Sequence, residues 1–97
     1  MKRKKKIYIS LPISGKPIDL VKLRLKELKA IIKKNNTPVS PLDLTEDSDD
    51  YATCIGKDIA GLLKCDGVYF AKGWENSKGC QAEYAVARIY GLEIFFE

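Results

Sequence analysis

Residues 58–90 read DIAGLLKCDGVYFAKGWENSKGCQAEYAVARIY, and this stretch decides the fold. It divides into a helix, a buried strand, a loop rich in Gly, Asn and Ser, and a second helix. Each helix carries an acid where packing favours an apolar side chain. On the first, Tyr51, Ile55, Asp58 and Leu62 recur at helical spacing, which turns Asp58 toward the core. On the second, Gly79, Glu83, Val86, Ala87 and Tyr90 share a face, so Glu83 projects from a small or apolar stripe. A buried carboxylate is costly unless it is paired or hydrogen-bonded. Either acid alone could bond to nearby backbone or sit at the rim of its stripe. Two of them flanking one strand end point to a site.

Outward from this stretch, strands and helices alternate. Upstream, KIYIS at 6–10 is a short β-rich run, followed by the Pro/Ser/Gly loop LPISGKP. Pro17 suits a first helical turn, and Ile18, Val21, Leu25, Leu28 and Ile32 then mark an amphipathic helix. Lys33 and Lys34 suit its C-terminal end, and Asn35-Asn36 can stop it. A second strand at 37–40 is bracketed by Pro38 and Pro41, which predicts an edge position. The acidic DLTEDSDD segment caps a helix running from about Tyr51 to Lys64; it lacks the glycine and terminal glutamate of a calcium loop. Val68 to Ala71 is a strand buried on both faces, and Lys78 to Tyr90 is a helix closed by Gly91. Leu92 to Phe96 is the last strand.

This alternation predicts an α/β fold, a flavodoxin- or Rossmann-like three-layer sandwich on a four-stranded parallel sheet of order 2-1-3-4. Ligands of such sheets bind beyond the carboxyl ends of the strands at the topological switch point. Here that point lies between strands one and three. The 10–15 loop, the 72–77 loop and the first turn of the last helix meet there.

Composition narrows the chemistry. The chain has 97 residues, a net charge of +4 and no histidine, enough for one small domain at 6–97 behind a basic, flexible tail at 1–5. Without histidine, acid/base work near neutral pH falls to carboxylates, Tyr, Lys or Cys, and Ser-His-Asp or Cys-His sets are excluded. Cys54, Cys65 and Cys80 have no metal-ligand spacing and read as reduced, small hydrophobes of a cytoplasmic protein. No apolar run approaches the length of a membrane span. Most of the excess positive charge sits in Lys2 to Lys6 and the Lys-rich first helix, with no interleaved aromatics, which reads as a solvated surface more than a nucleic-acid platform. Ser77 is placed to cap the last helix, whose amides could also hold an anion such as phosphate. Ser10, Ser14 and Gly15 form a second polar loop that matches neither GxGxxG nor a P-loop. Two carboxylates and a tyrosine remain, a set suited to breaking a glycosidic bond.

KIYIS with its polar loop, and the whole segment from Asp58 to Ile94, resemble the nucleoside 2-deoxyribosyltransferase superfamily, closest to its small branch known as a domain of unknown function. The resemblance implies that Glu83 is the nucleophile toward C1′, that Asp58 assists the base and leaving group, and that Tyr8 orients Glu83. Serine rather than aspartate at position 77 resembles the deoxynucleoside monophosphate hydrolases, which have an arginine-containing loop where this chain has Leu11-Pro12-Ile13. Ser10, Ser14, Gly15, Trp74, Ser77 and Gly79 are the candidate substrate contacts. No metal or organic cofactor is implied. The expected activity is N-glycosidic cleavage or transfer on a (deoxy)nucleoside or its 5′-monophosphate. Family sites completed by a neighbouring subunit imply a homodimer or larger homo-oligomer. The rivals are a non-catalytic nucleotide-binding module with the same crevice, and a nucleic-acid-associated protein that uses the basic tail.

Overall fold

The computed structural model describes residues 4–97. In chain order it contains β1 (Lys6–Ser10), α1 (Ile18–Lys33), β2 (Thr37–Val39), α2 (Tyr51–Leu63), β3 (Gly67–Phe70), α3 (Lys78–Ile89) and β4 (Glu93–Phe96). Single 3-10 turns occupy Pro41–Asp43 and Trp74–Asn76. The four strands form one parallel sheet in the order β2-β1-β3-β4, so β2, which contains Pro38 and is followed by Pro41, lies at an edge, as expected. Residues 1–3 of the expected tail lie outside the described residues. Lys5 is tied to the sheet: its carbonyl accepts the Thr37 amide at 2.8 Å, and its ammonium pairs with Glu93 at 2.9 Å.

The period-two alternation of β1 divides the core into two halves. Ile7 and Ile9 point to one face, where Val21, Leu25, Leu28 and Ile32 of α1 cover them. Tyr8 points to the other face, among Leu62, Val68, Phe70 and Ala87. Burying each of the valine, leucine and isoleucine side chains among these contributes roughly 1.5–3 kcal/mol. The result is a helix layer on each side of the sheet.

Local chemistry fixes the helix ends. The Asp50 carboxylate accepts the Thr53 amide at 2.8 Å to start α2, and the Ser77 hydroxyl accepts the Cys80 amide at 3.3 Å to start α3. Gly91 ends α3 in the left-handed region at φ +68°, with the Leu92 amide reaching back to the Ala87 carbonyl at 2.9 Å. Gly67 has a different reason. A β-carbon there would stand 2.9 Å from the Glu93 carbonyl oxygen, so only glycine lets β3 and β4 approach this closely.

Two ends of the expected stripes differ. Tyr51 is 58% exposed and Tyr90 is 66% exposed. Each sits at a helix terminus, Tyr51 opening α2 on the crevice wall and Tyr90 closing α3, where the helical period continues past the packed core. The buried side of α3 is Cys80, Glu83 and Ala87.

Candidate active site

A crevice of about 1450 Å³ opens at the carboxyl ends of β1 and β3. Its wall includes Leu11 and Pro12 after β1, Lys72 and Ser77 after β3, Asp58 of α2 and Glu83 of α3. Tyr8 and Ser10, two residues apart on β1, both face the α2–α3 layer. The Tyr8 hydroxyl donates to Glu83 Oε2 at 2.6 Å, and the Ser10 hydroxyl donates to Oε1 at 2.7 Å. Glu83 is thus clamped through both oxygens, yet each oxygen keeps a lone pair free.

Burial raises the Glu83 pKa above the usual carboxylate value, while the hydroxyls of Tyr8 and Ser10 pull it back. Tyr8 is raised far above its ordinary value, first by burial and then by the Glu83 charge, so it remains a hydrogen-bond donor at any working pH. Asp58 behaves differently. Its Oδ1 is buried and has no hydrogen-bond partner among the described residues. Burial, then the charge on Glu83, pushes its pKa up to about 7. One acid is held as an acceptor, and the other can carry a proton near neutrality.

The remaining expected contacts fall in different places. Ser77, Gly79 and Ser14 lie on the crevice wall. Ser10 is fully buried behind it and reaches the crevice through Glu83. Gly15, at φ +77°, turns the loop outside the wall. Trp74 also lies off the wall, packed with Phe70, Tyr84 and Phe96 at centroid distances of 4.8–5.7 Å. That cluster holds the 72–77 loop against α3.

Among the wall residues that the sequence reading did not name as site members are the two thiols Cys54 and Cys80. Each lies one helical turn before an acid, four residues ahead of Asp58 and three ahead of Glu83, and that spacing was the available signal. Burial raises both thiols. Another unforeseen element is Glu97, whose carboxylate accepts the Lys72 amide at 2.7 Å and pairs with Arg24 of α1. It pins the start of the 72–77 loop. Among the described residues, no group of three or more His, Cys, Asp or Glu side chains is arranged to hold a metal ion.

Residues 5–96 match the family described as a domain of unknown function, DUF4406. The chain belongs to that family. No curated protein matches this DUF4406 chain. A solved structure described as a 2-desoxiribosyltransferase from Leishmania mexicana superposes on it with a TM-score of 0.75 at 23% sequence identity. The match covers 95% of this chain and 63% of that one, so the DUF4406 chain spans under two thirds of its structural relative. The shared feature at this identity is the fold, in agreement with the resemblance read from the sequence. No helix among the described residues is long and apolar enough to cross a membrane.

Proposed function

We propose that the crevice breaks the N-glycosidic bond of a (deoxy)nucleoside or its 5′-monophosphate. The observation that carries this reading is the pair of unequal acids. Glu83 is clamped by two hydroxyls, and beside it Asp58 has a pKa of about 7 and a buried oxygen without a partner.

The Glu83 carboxylate attacks C1′ as the C1′–N bond breaks, giving a glycosyl ester on Glu83. Asp58 gives its proton to the departing base and becomes a carboxylate. It then takes a proton from water, or from an acceptor base, as that group attacks C1′ and releases Glu83. Hydrolysis and transfer differ only in the acceptor. Tyr8 and Ser10 hold the nucleophile in line. Ser77 and the first amides of α3 suit a 5′-phosphate. The 23%-identical deoxyribosyltransferase fold supports this reading.

Self-association belongs to the same proposal. Ile89, Tyr90 and Phe96 are 78%, 66% and 55% exposed, large apolar side chains of the kind that a second copy would cover. A monomeric mass by light scattering at tens of micromolar would count against it. For the reaction, the test is incubation with a panel of deoxynucleosides, ribonucleosides and their 5′-monophosphates, with chromatography for free base. Release by the parent and none by Glu83→Gln is expected. Release that survives Glu83→Gln overturns the assignment.

A further inference from the structure

The sequence presents the lysines of α1 as a solvated face, but the fold gathers four of them along one groove. Lys22, Lys26, Lys29 and Lys33 follow steps of four, three and four, so they share one side of the helix over about 16 Å. They line a groove of about 490 Å³ between α1 and the Pro41–Asp43 turn, with Leu42 and Asp43 on the opposite wall. Asp43, the acid in that wall, is engaged by Lys29 at 3.1 Å. Lys22, Lys26 and Lys33 are exposed and have no ion-pair partner among the described residues. Lys22 and Leu42 also belong to the wall of the Glu83 crevice, so groove and crevice are one continuous depression.

We propose that a single strand of nucleic acid lies in this groove by its phosphates and presents one nucleotide to the crevice. The substrate of the reaction proposed above is then a nucleotide still within a strand, and this part rests on that reading. The charge pattern carries the argument. Like charges one turn apart on a helix repel each other, and a row of anions at comparable spacing relieves the repulsion along its whole length. A free monophosphate meets one or two of the lysines and leaves the rest unmatched. A lipid surface is flat and cannot enter a trough walled by the Pro41–Asp43 turn. No aromatic side chain lines the groove, so contacts go to the backbone and binding is indifferent to base sequence.

The test is fluorescence anisotropy of a labelled twelve-nucleotide oligothymidine, with the parent protein and Lys22→Gln/Lys26→Gln/Lys33→Gln. Three neutralised phosphates predict a logarithmic salt slope near −2, so parent affinity should fall about 20-fold between about 50 and 200 mM salt. The triple variant should bind at least tenfold more weakly at the lower salt and lose most of that slope. Lys64→Gln, at the end of α2 across the sheet, should change affinity less than twofold. If the triple variant melts lower than the parent, Lys26→Gln alone serves, with an expected slope loss of about 0.7. Absence of binding at tens of micromolar in low salt overturns the site. So does a triple variant that binds like the parent, an equal loss from Lys64→Gln, or capture by phosphatidylserine vesicles that the oligonucleotide does not compete. Strand binding without base release from any substrate removes the reaction and leaves the site. Cleavage of monomers without strand binding removes the site and leaves the reaction.

Discussion

Asp58→Asn tests the electrostatics of the crevice without any substrate. Asp58 is 9% exposed, and burial and then the Glu83 charge raise its pKa to about 7. In the unfolded chain the same group titrates near ~3.9. Between these values the folded protein holds a proton that the unfolded chain has released. Stability is therefore fully present at low pH and falls as pH rises toward and past 7. A gap of about 3 units corresponds to ~4 kcal/mol lost by pH 8.5. Water entering the open crevice relaxes part of this, so we expect about 2–4 kcal/mol. Asparagine keeps the shape and drops the charge. The variant should already exceed the parent by about a third of that amount at pH 5, where the unfolded carboxyl has released its proton, and by the full amount at pH 8.5, a gain of about 10–20 °C in melting temperature for a domain of this size. Urea unfolding at pH 5, 7 and 8.5, followed by Trp74 fluorescence, measures it. Parallel parent and variant profiles, or a variant less stable at pH 8.5, would refute the reasoning.

Glu83→Gln should lower any turnover at least ~1000-fold while the melting temperature holds or rises slightly, because the amide removes a buried charge. A destabilised variant that still releases base at the parental rate contradicts this, by calorimetry and base-release assay together. Tyr8→Phe takes one of the two donors from Glu83; it should cost about 1–3 kcal/mol above neutral pH and move the Glu83 titration upward in the pH–rate profile. Gly67→Ala should destabilise by about 1–3 kcal/mol, since its methyl meets the Glu93 carbonyl at 2.9 Å; an unchanged urea midpoint would show that the two strands can separate. Removing residues 1–4 should leave the melting temperature within about 2 °C, provided that Lys5 keeps its bond to the Thr37 amide.

Sequence made the fold legible because each local signal agreed with its neighbours. KIYIS alternates, α1 repeats at helical steps, and Pro38 and Pro41 mark an edge, so the parallel order follows from general rules of connection. The candidate site stood out at Asp58 and Glu83 for the opposite reason: each breaks the pattern of its own helix. What stayed hidden depends on distant contacts. Trp74, in a Gly/Asn/Ser loop, reads in sequence as a candidate substrate contact, and its packing against Tyr84 and Phe96 at 4.8 and 5.7 Å has no local signal. Glu97 gives no sign in the sequence of reaching Lys72 and Arg24. The lysine groove needs the Pro41–Asp43 turn for its second wall, and nothing in α1 foretells where that turn lies.

The contrast among the acids argues that the crevice is more than a structural network. Asp50 caps α2 through the Thr53 amide, and Asp49 pairs with Lys57 at 2.7 Å. Asp43 takes Lys29 and the Ser40 amide, and Asp66 accepts the Lys6 amide at 2.8 Å. These are exposed or half-buried acids, where water would have served as well. Asp58 is buried, where a missing partner costs most, and its Oδ1 has no partner among the described residues. If selection acted on stability alone, asparagine or leucine would serve better at position 58, because either removes the desolvated charge. An acid kept under that penalty, next to a glutamate that raises its pKa further, supports the proposal above, in which Asp58 gives its proton to a group that enters the crevice.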